Sequence, residues 1–367
     1  MLRLSGAHGG TIQAGPVAGA LSVALLLAGC GAGSAGSGSS GGSGGSGGGD
    51  PSASDTVTLV THDSWALDEK LVDQFEQESG LTLEVSAVGD AGTLVNQLVL
   101  TKDAPLGDAV FGIDNSFASR ALEEGVVEEY TPASLPDGAE QLGGALTPID
   151  QGDVCVNADE AWFEKSGLEV PKTLDDLADP KYRDLLVVTN PATSSPGLAF
   201  LLATIGAFGE DGFEDYWASL VDNGVKVADS WEDAYYVDFS GAGEGGERPL
   251  ALSYATSPAF TVSEDGSEST TSALLETCFR QVEYAGVLAG SDNPDGAQAL
   301  VDFLLTEDVQ SALPESMYMY PADSSVPLPA DWEKFAPQAD APFEVEPTEV
   351  SAHRDEWIER WTETVLG

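Results

Sequence analysis

Along this chain short β-branched runs alternate with segments of helical periodicity, and that alternation constrains the fold more than any other feature. Residues 57–61 read as a strand. Leu67, Leu71, Val72 and Phe75 then recur at helical spacing, and Gly80 stops the helix. Leu81, Leu83 and Val85 alternate as a second strand, Leu94 and Leu98 mark a helix, residues 108–113 form a third strand, and a helix follows over 116–124. The pattern resumes with strands at 185–189, 225–228 and 250–254 and helices at 196–208, 213–221 and 295–305. Such an order predicts a mostly parallel sheet covered by helices, in two α/β units with a cleft between them. In open α/β sheets ligands sit beyond the carboxyl ends of the strands, so those loops are the place to look.

The strand-end loops share a chemistry. They hold His62-Asp63-Ser64-Trp65, Asp90-Ala91-Gly92, Asp114-Asn115, Thr193-Ser194-Ser195-Pro196, Ser230-Trp231 with Tyr235 and Tyr236, and Tyr254-Ala255-Thr256-Ser257. Carboxylates, hydroxyls and aromatic rings recur, and Lys and Arg are missing. An anion site would use Arg or Lys. A flat cationic ring would instead use carboxylates with Trp or Tyr faces. Several of these residues also have a plain structural use. Asp63 or Ser64 can cap a helix starting near Ala66, Asp114 or Ser116 can cap the next one, and Ser194-Ser195-Pro196 is an ordinary helix start.

Composition bears on partners and address. With 14 Lys+Arg against 62 Asp+Glu, the net charge is −48, which repels nucleic acid and anionic lipid surfaces. A hydrophobic content of 42% still supplies a core, so the charge does not imply disorder. His8, His62 and His353 are too scattered for a His-rich metal site. Arg3 precedes a short apolar run ending in Leu27-Ala28-Gly29-Cys30, as in a secretory signal closed by a lipobox that lipidates Cys30. Residues 31–49 contain only Gly, Ser and Ala and read as a flexible tether. Gly41-Gly42-Ser43-Gly44-Gly45 matches a hydrolase pattern only formally, with no strand before it and no helix after it.

Read together, the segments Thr61-His62-Asp63-Ser64-Trp65, Gly112-Ile113-Asp114-Asn115, Thr193-Ser194-Ser195-Pro196-Gly197-Leu198, Ser230-Trp231-Glu232-Asp233-Ala234-Tyr235, Leu252-Ser253-Tyr254-Ala255-Thr256-Ser257-Pro258-Ala259, Gln281-Val282-Glu283 and Met319-Tyr320-Pro321 resemble the solute-binding proteins of bacterial thiamine importers of the ABC class. The likeness runs in order over about residues 56–365. It implies a two-lobed α/β fold of the type II periplasmic-binding-protein kind, with two crossing strands near 151–157 and 278–284 and a ligand cleft between the lobes. Residues 1–29 would be the signal peptide and 30–55 the lipidated Cys and tether. Lobe 1 would span 56–151 and 283–316, and lobe 2 would span 152–282 and 317–367.

The resemblance further implies a monomeric, non-enzymatic carrier without cofactor. It would be anchored at the outer face of the cytoplasmic membrane and would bring thiamine or a thiamine phosphate to a permease driven by a separate ATPase. Trp231 and Tyr254 would stack on the ligand rings, with Tyr235, Thr256 and Ser257 beside them. Asp114, with Asn115, would offset the thiazolium charge or accept from the aminopyrimidine. Ser194, Ser195 and the Asp90–Gly92 loop would line the hydroxyethyl or phosphate end, and Asp63 and Ser64 would close the first-lobe wall. The family tends to carry Tyr where His62 stands. An imidazolium there would repel a cation, so binding is expected to weaken below about pH 6. Cys155 and Cys278 fall in the two crossing strands and are expected to form a disulfide, as secretion permits. Two alternatives stay open: another solute, iron(III) at Tyr235-Tyr236 or a polyamine at the carboxylates, and a thiamine-degrading enzyme using a cysteine nucleophile, for which no base is evident.

Overall fold

The computed structural model describes residues 55–242 and 245–367. The signal peptide, Cys30 and all of the tether before residue 55 lie outside the described residues. The first half runs β1 (Thr56–Thr61), α1 (Glu69–Ser79), β2 (Thr82–Ala87), α2 (Ala91–Leu100), β3 (Ala109–Asp114), α3 (Ala118–Glu123) and β4 (Val127–Glu128). A long strand β5 (Thr147–Asp159) leads to α4 (Glu160–Ser166), α5 (Leu174–Leu177), β6 (Leu186–Thr189), α6 (Ser195–Phe208), α7 (Phe213–Asp222), β7 (Lys226–Ala228), β8 (Leu250–Tyr254) and β9 (Thr271–Ala273). A second long strand β10 (Phe279–Leu288) precedes α8 (Pro294–Leu304), α9 (Glu307–Ser316), β11 (Tyr320–Pro321), α10 (Trp332–Phe335) and α11 (Pro347–Val365).

The strands form one curled sheet in the order β2-β1-β3-β10-β5-β8-β6-β7. The outer pairs β1–β2, β1–β3, β6–β7 and β6–β8 are parallel, as the α/β alternation predicts, whereas β10 runs antiparallel to both β3 and β5. The two long central strands thus join a β1–β3 half to a β6–β8 half. Cys155 of β5 and Cys278, just before β10, are joined by a disulfide, both fully buried.

One core belongs to the β1–β3 half alone, and a larger one runs through both halves. Val57, Leu59, Phe75, Phe111, Leu300 and Val301 pack between the β1–β3 sheet and α1 and α8. The larger core includes α6, whose residues Ser195 to Ile205 are all buried, so this helix is apolar on every side, as a central helix should be. The tail helix α11 sets Trp357 and Trp361 into the same core, with Trp361 edge-on to Trp217 at 5.4 Å.

Local signals were mostly legible. The first helix is an exception. It starts at Glu69 with Asp68 as its cap, not near Ala66, because the Asp63 carboxylate accepts from the Gly89 N–H (2.9 Å) and ties the first two strand-end loops together. Asp90 does cap α2, accepting from Ala91 N at 2.7 Å.

Candidate functional site

Beyond the carboxyl ends of the strands lies a cleft of about 340 Å³. His62, Asp63, Ser64, Asp90, Ser195, Trp231, Tyr235, Tyr254, Thr256 and Ser257 line it, and no Lys or Arg does so among the described residues. A π-helical turn, Asp233–Asp238, shapes one wall. Such turns are rare, and the extra residue re-aims the side chains they carry. Here the turn lays the buried Tyr235 ring parallel to Trp231 (centroids 5.1 Å, interplanar 14°) and stands Tyr236 edge-on at 5.4 Å. Tyr254 meets Trp231 at 65° and 6.2 Å. The indole is fixed at both ends. Its Nε1 donates to Ser253 Oγ (2.9 Å), and its backbone N–H donates to Asp90 Oδ2 (2.9 Å). Trp231 is therefore a pinned wall of the cleft, not a core residue.

The remaining expected residues stand behind the lining. Gly92 is where α2 approaches the Thr193 loop. A Cβ there would lie 2.7 Å from the Thr193 carbonyl carbon, and the neighbouring Thr93 N–H donates to Thr193 O at 3.1 Å. Asp114 is fully buried beneath the floor, accepting from the N–H groups of Ser116 and Phe117 and from Ser195 Oγ. Asn115 holds β10, donating to Arg280 O and accepting from Val282 N–H. Ser194 donates to Thr189 Oγ1 behind the cleft wall. The Asp90–Trp231, Thr93–Thr193 and Ser195–Asp114 bonds all join the β1–β3 half to the other half across the cleft.

The electrostatics are unusual because carboxyls gather without a cation. Glu283, on β10, reaches the cleft floor with 4% of its surface exposed. Burial first, and then the Asp150 carboxyl beside it, push its pKa well up. Burial likewise raises Asp114 to about 7 against the opposing pull of its N–H donors, and raises Asp90. Glu232 at the rim is raised by partial burial and by Asp63 and Asp90. His62 behaves differently from expectation. Its ring is buried against Phe111, and desolvation lowers its pKa to about 4 although Asp63 pulls the other way. It is neutral at pH 6, so the expected loss of binding near pH 6 does not belong to this group. Its Nε2 lies 3.5 Å from Glu283 Oε1, outside hydrogen-bond geometry. The ring fits only because residue 112 is glycine, where φ is +96° and a Cβ would overlap the imidazole.

Sequence reasoning passed over several lining residues. Glu283, Glu232 and Phe260 belong here, beside Trp65 and Tyr236 of the strand-end loops, as does the Ser316–Met319 segment at the end of α9 and just beyond it. Tyr318 in that segment has φ +55°, a strained conformation that tertiary contacts hold in place at a cleft. The segments Gln281-Val282-Glu283 and Met319-Tyr320-Pro321 carried a signal, but their place in the cleft depends on the antiparallel return of β10 and β11 onto β5.

A single curled α/β sheet with two crossing strands and a carboxylate-and-aromatic cleft over its strand ends defines an extracytoplasmic solute receptor. Residues 108–343 match the model of the bacterial extracellular solute-binding proteins, and the chain belongs to that family. Among its relatives, the thiamine-binding periplasmic protein of Escherichia coli is 30% identical over 322 residues, 85% of this chain and 94% of that one. That of Salmonella typhimurium is 29% identical over 323 residues, with the same coverage. Among solved structures, a periplasmic thiamin binding protein is 28% identical with a TM-score of 0.76, covering 84% of this chain and 96% of that one. Iron-bound HitA from Pseudomonas aeruginosa, 20% identical over 84% of this chain and 99% of that one with a TM-score of 0.66, shares the fold. The fold is thus the two-lobed type II periplasmic-binding-protein fold, with its ligand cleft between the lobes.

Proposed function

We propose that this chain is the extracytoplasmic thiamine-binding component of an ABC importer, closing its lobes on the ligand and delivering it to the permease. The observation that carries this is the cleft itself. A pinned Trp231 with Tyr235 and Tyr254 offers flat ring faces, Asp63, Asp90, Glu232 and Glu283 surround them, and no cationic side chain lines the space among the described residues. That combination selects a flat aromatic cation. The thiamine-binding names of the relatives over nearly their full length support the same ligand.

Within this reading, Trp231 and Tyr254 stack on the rings, Glu283 faces the thiazolium charge from the floor, and Asp63, Asp90 and Ser195 take the polar end. Lobe 1 spans 56–151 and 283–316, lobe 2 spans 152–282 and 317–367, and the hinge is the β5–β10 pair. The chain works as a monomer tethered through a lipid on Cys30 and catalyses nothing. The carboxylate lining favours free thiamine over its phosphates, since the position at the start of α6 where a phosphate would be held already faces the Asp90 carboxylate.

Adjacent Tyr235 and Tyr236 favour one other reading, iron(III). Against it, Tyr235 is stacked beneath Trp231, and burial raises its phenol pKa far above the ordinary value, which disfavours the phenolate that iron requires. Titration calorimetry with thiamine, its mono- and diphosphate, the isolated pyrimidine and iron(III) decides. Tight binding of thiamine and none of iron is expected. A coloured iron complex, or no heat with thiamine, overturns the assignment.

A further inference from the structure

Asp114, Glu283 and Asp150 stand side by side on three adjacent strands. In the β3–β10 ladder Glu283 pairs with Asp114, and in the β10–β5 ladder the same Glu283 pairs with Asp150. Directly opposed residues project from one face of a sheet about 5 Å apart, where like charges repel. All three are nearly or fully inaccessible to solvent.

On the Glu283 strand, Gln281 Nε2 donates to Glu283 Oε1 at 3.2 Å, while Arg280 is bound to Asp153 through two hydrogen bonds. From β3 comes Asp114, which accepts from the Ser116 and Phe117 N–H groups and from Ser195 Oγ. From β5 comes Asp150, neither of whose carboxyl oxygens has a hydrogen-bond donor apart from the Glu283 carboxyl beside it. From the end of β1 comes neutral His62, with Asp63 beyond it, and Asp90 and the Tyr254 hydroxyl act from farther off. Among the described residues no Lys, Arg or charged His offsets the three carboxyls. Two buried carboxyls face to face, one of them with no other polar partner, are satisfied when a proton lies between them.

We propose that Asp114, Glu283 and Asp150 form a proton-holding carboxyl ladder under the cleft, and that a cationic ring seated above Glu283 displaces a proton from it into solvent. The carboxyl O–H bond breaks heterolytically, its electron pair staying on the Glu283 carboxylate and its proton passing to water or buffer. One positive charge enters, one proton leaves, and the charge of the buried floor is conserved. Glu283 is the group that meets the cation. Asp150, out of the lining, is a positioning residue that raises the proton affinity of Glu283. The ladder deepens the thiamine reading, on which it rests for the identity of the cation. It makes the cleft a sensor of charge as well as ring shape, because a neutral ring of the same outline gives Glu283 no reason to ionise.

The test is titration calorimetry of the full mature chain at about pH 6.5 in buffers of different ionisation enthalpy, whose slope counts protons released. The ligands are thiamine and its analogue with an uncharged thiophene in place of the thiazolium. The analogue keeps the aminopyrimidine, so subtracting its slope removes any proton taken up by that ring. Thiamine should release about 0.5 to 1 proton more than the analogue. In Glu283→Gln the difference should vanish and the preference for thiamine over the analogue should fall by roughly tenfold or more. In Asp150→Asn the release should shrink while thiamine still binds, which a loss of packing alone would not produce. Thiamine binding with equal slopes for both ligands overturns the ladder and leaves the thiamine reading standing. Absence of any thiamine heat overturns that reading instead. The ladder is then judged on empty protein, where infrared spectroscopy should show a protonated-carboxyl band above pH 5 that Glu283→Gln removes. No such band overturns it.

Discussion

Removing the Cys155–Cys278 disulfide tests how the two crossing strands are held. The bond closes a loop of 123 residues. The loop-entropy relation puts the constraint it places on the unfolded chain at about 5 kcal/mol. For a domain of this size the unfolding entropy converts that to a fall in Tm of about 7 °C. Both sulfurs are fully buried in a small cluster with Ala255 and Ala339, so replacement by alanine leaves a cavity that adds to the loss. Neither cysteine lines the cleft. The double variant Cys155→Ala/Cys278→Ala should therefore melt lower but, once folded, bind thiamine within about threefold of wild type. The assay is thermal unfolding followed by circular dichroism, with and without reductant, beside a free-thiol count in denatured, unreduced protein. A fall in Tm below about 2 °C, or two titratable thiols in the unreduced protein, would refute the reasoning.

Three further outcomes follow from the cleft. His62 has a folded pKa of about 4, below its unfolded value, so its contribution to stability is complete above about pH 6.5 and is lost as pH falls toward 4, by up to about 3 kcal/mol. Urea unfolding of His62→Phe should show a shallower loss of stability over that interval than wild type, and parallel curves would contradict the assignment. Gly112→Ala forces a side chain onto a residue at φ +96° and into the His62 ring, and should cost about 2–3 kcal/mol in urea unfolding, with Gly112→Ala/His62→Ala recovering part of it. Trp231→Ala should weaken thiamine binding by roughly 10- to 100-fold while Trp231→Phe loses less, measured by calorimetry; equal affinities would place the ligand elsewhere in the cleft.

The β-α alternation located the elements to within a few residues, because apolar periodicity and caps are local. The strand-end loops do line a cleft, and Asp90 shows how: it caps α2 and, on the same side chain, meets Trp231 across the cleft. A helix cap and a cleft-lining group are thus compatible on one side chain. Asp114 went the other way. As a carboxylate after a strand it resembled a ligand group, yet it lies beneath the floor and holds Ser195.

What the sequence determined by itself is therefore the β-α order, the cationic preference implied by aromatic rings and carboxylates without Lys or Arg, and the family. What only the tertiary structure decided is protonation and alignment. Whether His62 carries a charge depends on its burial against Phe111 beside Gly112, both on β3, and whether Glu283 does depends on the two carboxyls set opposite it by antiparallel pairing across residues far apart in the chain. Desolvation and cross-strand register are properties of packing, and no local pattern of residues encodes them.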